Sequence, residues 1–236
     1  MLVLGIETST PQASVAIGSE QGLIASALVS RGASHNEFLL PAIRFCLDET
    51  GLGFRNIGGI AASLGPGLYT GMRVGIATSK ALAQALSVPI VGMGSLDLLA
   101  YEVRYSPKTI CAVLDARRGE VFHAFYRASP GGIQRMSDYR IEKPGRLAIG
   151  LASRPEEVLL VGNGALLYSE IFGDLGSIVE IGTMSDSFPD ARSLVELALP
   201  RMLREDFDSV YDMKPLYLRH SARRIQWERI RDARSA

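Results

Sequence analysis

Cysteine, histidine and tryptophan are scarce: the 236 residues hold two, three and one of them, and 25 basic against 25 acidic side chains leave no net charge. Each scarcity excludes something. Cys46 and Cys111 stand alone, with no CxxC and no zinc-type spacing, so the sequence encodes neither a disulfide framework nor a structural zinc site. Both read as reduced thiols of a cytoplasmic protein. His35, His123 and His220 are too widely separated for an HExxH or HxxxH metal motif. The balanced charge excludes a dedicated basic nucleic-acid binder, because neutralising phosphates takes an excess of Lys and Arg. The uncharged run 81–96 is shorter than the ~20 residues of a membrane span and contains Pro89, so no membrane association is expected. Residues 1–7 carry no basic region ahead of an apolar one, and no secretion signal is expected there.

What is present describes a globular protein. Hydrophobic residues at 47% and charged residues at 21% suffice for a core, and the length allows one large domain or two small ones. Short apolar runs at 2–7, 13–17 and 23–30 read as strands, the first two joined through the turn-forming Thr8-Ser9-Thr10-Pro11-Gln12. Ser34 and Glu37 form a capping box that opens a helix over 35–49, which Pro41 is expected to kink or to start later. A strand at 59–63 follows, then the turn Gly65-Pro66-Gly67 and a helix from a Thr70 cap to about residue 86. A strand at 88–91 and a helix at 95–103 complete the run.

The order strand, strand, strand, helix, strand, helix, strand, helix then starts again. Strands at 109–115 and 120–127 flank Ala116-Arg117-Arg118-Gly119, a second hairpin with an acid, Asp115, where the first has Glu7. A strand at 133–142, a helix at 146–153, a strand at 158–161, a helix at 164–172, a strand at 178–181 and a helix at 191–204 follow. Two tandem βββαβαβα units are the α/β architecture of the actin-like ATPases and sugar kinases, with a ribonuclease H-like sheet in each. The pattern predicts a first domain over 1–106 and a second over 107–214, with 215–236 returning to complete the first.

Within this frame several motifs resemble the TsaB family. They are Gly5-Ile6-Glu7-Thr8-Ser9, His35 with Leu39-Leu40-Pro41, and Gly65-Pro66-Gly67-Leu68-Tyr69-Thr70-Gly71-Met72-Arg73-Val74-Gly75. Further along come Asp115-Ala116-Arg117 with Glu120-Val121-Phe122, then Gly162-Asn163-Gly164-Ala165, and Pro215-Leu216-Tyr217-Leu218-Arg219. Leu68 and Tyr69 stand where the family usually has Ser and Phe. The resemblance implies a non-catalytic, two-domain actin-like protein of bacterial threonylcarbamoyladenosine synthesis on tRNA. It would dimerise with its catalytic paralogue TsaD, or with itself when alone, and work with the ATPase TsaE, contacting tRNA weakly or through the partner.

The chemistry-bearing positions each allow a ligand-binding and a purely structural role. Glu7, Thr8 and Ser9 lie where actin-like ATPases place a phosphate loop, yet a Ser/Thr turn also forms with no ligand. In the second hairpin, Asp115, Arg117 and Arg118 replace the Gly-rich turn that phosphate approach needs; the arginines either close the cleft or pair with a phosphate. Catalytic relatives carry HxxxH after the last strand of the first domain, where this chain has Met93 and Asp97. No cofactor and no metal are expected, and no GxSxG elbow supports a hydrolase. The rival reading is an enzyme in its own right, an ATP-using small-molecule kinase or a glycoprotease-type peptidase.

Two helical faces point to a partner. Helix 35–49 has an apolar arc wider than one core face needs, and helix 70–86 repeats small residues four apart. The expected interface is His35, Phe38, Leu39, Ala42, Phe45, Cys46, Gly71, Gly75 and Ser79. Last, Arg219, Arg223, Arg224, Arg229, Arg231 and Arg234 outnumber Glu228 and Asp232 around Trp227. That stretch reads either as a tRNA contact or as a solvated helix pairing its own charges.

Overall fold

The computed structural model describes residues 1–30 and 35–219. Ser34, His220 and the arginine-rich stretch beyond Arg219, with Trp227, lie outside the described residues. The first half forms β1 (Val3–Glu7), β2 (Gln12–Ser19), β3 (Gly22–Ser30), α1 (His35–Glu49), β4 (Gly59–Ser63), α2 (Tyr69–Leu86), β5 (Ile90–Met93) and α3 (Ser95–Glu102). β1 pairs antiparallel with β2 and parallel with β4, giving the sheet order β3-β2-β1-β4-β5. The central strand is buried throughout, as its continuous apolar run requires once both faces are covered.

The second half forms β6 (Thr109–Arg117), β7 (Glu120–Ser129), β8 (Gly132–Arg135), β9 (Arg140–Glu142), α4 (Pro144–Ala152), β10 (Val158–Val161), α5 (Asn163–Leu167), α6 (Ser169–Gly173), β11 (Val179–Ile181) and α7 (Ala191–Leu203). Its sheet runs β11-β10-β6-β7-β8, with β6 antiparallel to β7 and parallel to β10. Strand for strand this is the first sheet again, so the doubled actin-like architecture read from the sequence is observed. Local differences have local causes. The third strand of this unit breaks into β8 and β9, both on β7, and the expected helix 164–172 is two short helices that break at Tyr168. α1 runs through Pro41, and α2 starts at Tyr69 after Leu68, so Thr70 sits inside the helix and does not cap it.

Each sheet takes its last covering helix from the other half. α1 and α2 cover one face of the first sheet through Leu39, Ile43, Cys46 and Ile76, but the other face is covered by α7, through Leu194, Val195, Ala198 and Leu199. α3 in turn lies on the second sheet, its Leu96, Leu99 and Ala100 packed with Ile110, Ala112 and Tyr126. Gly5 shows why α7 fits: a Cβ there would come within 2.9 Å of Ala191 O and Val195 Cγ2. The helix at 191–204, expected to complete the second unit, thus packs on the first sheet. The chain also returns to the first unit before residue 215. Asp208 bridges to Ile90 and accepts the Gly92 N–H at 2.7 Å, and Met213 enters the first core.

Candidate functional site

The carboxyl ends of β1 and β6 face one another across a small cleft lined by Ser9, Thr10, Pro11, Gly67, Leu68, Leu114, Asp115, Arg117 and Asn163. This is where an actin-like ATPase would hold phosphates, so the disposition of each backbone and side-chain group decides what the cleft can do.

On the first side, Thr8, Ser9 and Thr10 are buried. The Ser9 N–H, which a phosphate would need, donates to the Glu7 carboxylate. Ser9 O accepts the Leu68 N–H at 2.6 Å, and Thr8 Oγ1 donates to Gly71 O at 2.8 Å. The loop is sealed by α2, whose Gly71 and Gly75, with Gly67 just before it, leave room for Thr8 and Ser9 and for no side chain of their own. Glu7 is fully buried and lies behind the loop rather than on the cleft wall. Burial pushes its carboxyl up to about 7, although the Ser63 and Ser9 groups beside it pull the other way. Its Oε2 has no partner at hydrogen-bond geometry among the described residues. His35 is buried against Gly71. Burial holds its imidazole below the usual range, opposed by a hydrogen bond with the Thr10 backbone.

On the second side, Arg117 and Arg118 both adopt left-handed backbone, with φ of 62° and 58°, to turn β6 into β7. Asp115 Oδ1 accepts the Arg117 N–H at 2.8 Å, the Arg117 guanidinium lies 3.4 Å from Asp115 Oδ2, and Asn163 Oδ1 accepts the Asp115 N–H at 3.1 Å. Arg117 and Arg118 are both exposed; Arg117 lines the cleft beside its own acid, while Arg118 does not line it. Of the residues expected from the sequence at this site, Ser9, Asp115 and Arg117 line the cleft, Glu7 and Thr8 lie buried behind its first wall, and Arg118 does not line it. Asn163 was not singled out as a site residue; Gly162-Asn163 was visible as a motif, but nothing in one sequence joins it to Asp115.

The two HxxxH positions are occupied by other chemistry. Asp97 accepts from Tyr126 OH at 2.9 Å and Tyr139 OH at 2.5 Å and lies 3.5 Å from Arg135, while Met93 packs into the core under α7. Burial, then the Asp97 charge, holds both phenols well above their usual range. Among the described residues no three His, Cys, Asp or Glu side chains are grouped to hold a metal ion. No described helix is long and apolar enough to cross a membrane.

The helical faces divide differently from the sequence reading. His35, Leu39, Ala42 and Cys46 of α1 and Gly71, Gly75 and Ser79 of α2 are buried within their own unit, so these seven face inward. Phe38 is half-buried, and Phe45, at 56%, is exposed. Ala77 and Ala81 of α2 are exposed as well, and so is Leu40, which lies two residues from Phe38 and therefore on the opposite flank of α1. The wide arc was legible; which part of it the sheet consumes was not.

Comparison with known proteins identifies this arrangement. The sequence profile described as TsaD, tRNA N6-adenosine threonylcarbamoyltransferase, matches residues 26–227. The Bacillus subtilis tRNA threonylcarbamoyladenosine biosynthesis protein TsaB is 29% identical over 96% of this chain and 98% of its own. A tRNA N6-adenosine threonylcarbamoyltransferase from Nitrosospira multiformis is 38% identical, over 41% of this chain and 33% of its own. The solved structure of YeaZ from Pseudomonas aeruginosa has a TM-score of 0.79 at 27% identity, covering 92% of this chain and 99% of its own. The profile match over most of the chain, together with near-complete mutual coverage by the TsaB and YeaZ relatives and the doubled actin-like fold, places this chain in the TsaB family of tRNA threonylcarbamoyladenosine biosynthesis proteins.

Proposed function

We propose that this chain is a non-catalytic scaffold subunit of the assembly that transfers threonylcarbamoyl to the adenosine beside the tRNA anticodon. The observation that carries the reading is the state of the cleft. The groups that would grip a phosphate are already engaged, the Ser9 amide by Glu7 and the exposed Arg117 guanidinium in part by Asp115, 3.4 Å away. A kinase needs those donors free for the transferred phosphoryl group. A peptidase that used Glu7 would need substrate to reach it, and Glu7 is buried behind its loop.

The partner is a TsaD-like paralogue, in keeping with the partial identity between this chain and the Nitrosospira transferase. Phe38 and Phe45 of α1 with Ala77 and Ala81 of α2 form the docking face, and His35, Leu39, Ala42, Cys46, Gly71, Gly75 and Ser79 hold it in shape from beneath. A second copy of the chain occupies that face when the paralogue is absent. A TsaE-like ATPase joins the pair, and tRNA is held mainly by the partner. The domain boundary lies between α3 and β6.

The test is a charged variant of the docking face, Phe45→Asp with Ala81→Glu, mixed with the paralogue on a size-exclusion column. Truncating an anchoring aromatic at an interface costs about 2 kcal/mol or more. Loss of the complex and of tRNA modification with an unchanged melting temperature is the expected result. An intact complex would overturn this docking face, and modification by this chain alone would overturn the scaffold reading itself.

A further inference from the structure

Residues 215–219 cross from one unit to the other at the mouth of the cleft. On the first unit, the Leu216 N–H donates to Leu64 O at 2.8 Å. The Tyr217 ring stacks on Tyr69 with centroids 5.4 Å apart, and Arg73, whose guanidinium lies 4.0 Å from the Tyr69 ring centre, donates through Nε to Tyr217 OH at 2.8 Å. On the second unit, Leu218 packs into the core beneath β6 and β7. Arg219 donates to Ala116 O at 3.3 Å, to Arg117 O at 3.4 Å and to the Glu120 carboxylate. Three adjacent residues thus hold both lips of the cleft, Leu68-Tyr69 on one side and Ala116-Arg117 on the other.

We infer that Tyr217 and Arg219 form an interdomain clasp that sets how far the cleft opens. The chain already passes between the two sheets twice, between β5 and β6 and again between β11 and α7. Two crossings leave a hinge, as domain closure in other two-unit proteins illustrates. A third crossing fastened at the cleft mouth opposes rotation about it. The fastening is strongest where it must resist: a stacked aromatic pair with a cation over it on one side, and a charge-assisted hydrogen bond with two carbonyl contacts on the other. The clasp acts on the cleft as a whole, so releasing either end frees both lips. This inference is independent of the scaffold reading and stands or falls on domain motion alone.

The test is amide hydrogen exchange on the full chain and on Tyr217→Ala and Arg219→Ala. Tyr217 touches only the first lip and Arg219 only the second, so the informative peptide is the one each residue does not touch. Release of a clasp held by a charge-assisted hydrogen bond is expected to speed exchange about tenfold at the far lip. Those peptides are 115–119 in Tyr217→Ala and 67–70 in Arg219→Ala, with β1 and β2 unchanged. Acceleration confined to the lip each residue touches would overturn the clasp, as would equal acceleration throughout both sheets. Should Arg219→Ala fail to fold, Glu120→Gln weakens the same end while keeping the chain intact, and the same far-lip readout decides.

Discussion

Gly75 and Thr8 meet with no room between them. A Cβ on Gly75 would lie 2.1 Å from Thr8 Oγ1, and that hydroxyl is fixed by its hydrogen bond to Gly71 O. The small-residue stripe of α2 is therefore spent on the first hairpin. Gly75→Ala is expected to destabilise the fold by roughly 1–3 kcal/mol through overpacking, and Gly75→Leu by more. Thermal melting beside partner capture checks this. Partner loss at an unchanged melting temperature would return Gly75 to the interface.

Glu7 gives stability a pH dependence of definite sign. Its folded-state pKa, raised from 4.5 to about 7 by burial, means that the folded protein binds a proton the unfolded chain releases. The favourable state is complete below about pH 4.5 and is lost as pH rises through about 7, a loss on the order of 3 kcal/mol for a fully buried carboxyl. Glu102, half-buried and raised to about 8 by burial and then by the Asp190 charge, adds in the same direction. Glu7→Gln keeps an acceptor for the Ser9 N–H and has no proton to lose. Denaturant unfolding at pH 5 and pH 8 should show a smaller difference in the variant than in the parent.

Nucleotide affinity follows from the occupied cleft. Calorimetry with ATP and Mg²⁺ on the purified chain is expected to give a Kd of about millimolar or weaker, roughly −4 kcal/mol. Binding at micromolar ATP that disappears in Arg117→Ala would make Arg117 a phosphate ligand, and the scaffold reading would then fail.

Asp97 accepts from two phenols that burial keeps protonated. Asp97→Ala leaves Tyr126 and Tyr139 without their acceptor, at a cost of roughly 2–4 kcal/mol. Adding Tyr126→Phe to Asp97→Ala removes one of the orphaned donors, so the double variant should melt above the single one. A double variant less stable than the single would mean that Tyr126 contributes chiefly through contacts other than this hydrogen bond.

Much of the fold was legible because it is written in local pattern. Leu-Val-Leu-Gly-Ile before Glu7 and Thr-Ile-Cys-Ala-Val-Leu before Asp115 mark two central strands, each followed by a turn and an antiparallel return, so the repeat and the acid near the end of each central strand can be found without coordinates. The cleft was legible for the same reason: its walls are the ends of those strands. Arg117 and Arg118 stood out as wrong for a phosphate turn. That Arg117 closes on Asp115 while Arg118 points away is a matter of two left-handed residues in succession, which no pattern of side-chain types records.

The sequence by itself determined the succession of strands and amphipathic helices along the chain, because hydrophobic periodicity and turn chemistry act over a few residues. Only the tertiary structure decided what each apolar face meets. α3 and α7 have faces that either sheet could cover, and the exchange between halves depends on close approach at Gly5 and on the space each sheet leaves open. The stripe of Gly71 and Gly75 admits another helix or a hairpin equally well, and Thr8 occupies it. Arg73 and Tyr217, 144 residues apart, had no sequence signal to join them. Burial energy is non-directional and roughly proportional to area, so a sequence specifies that an apolar face must be covered while the packed whole selects by what.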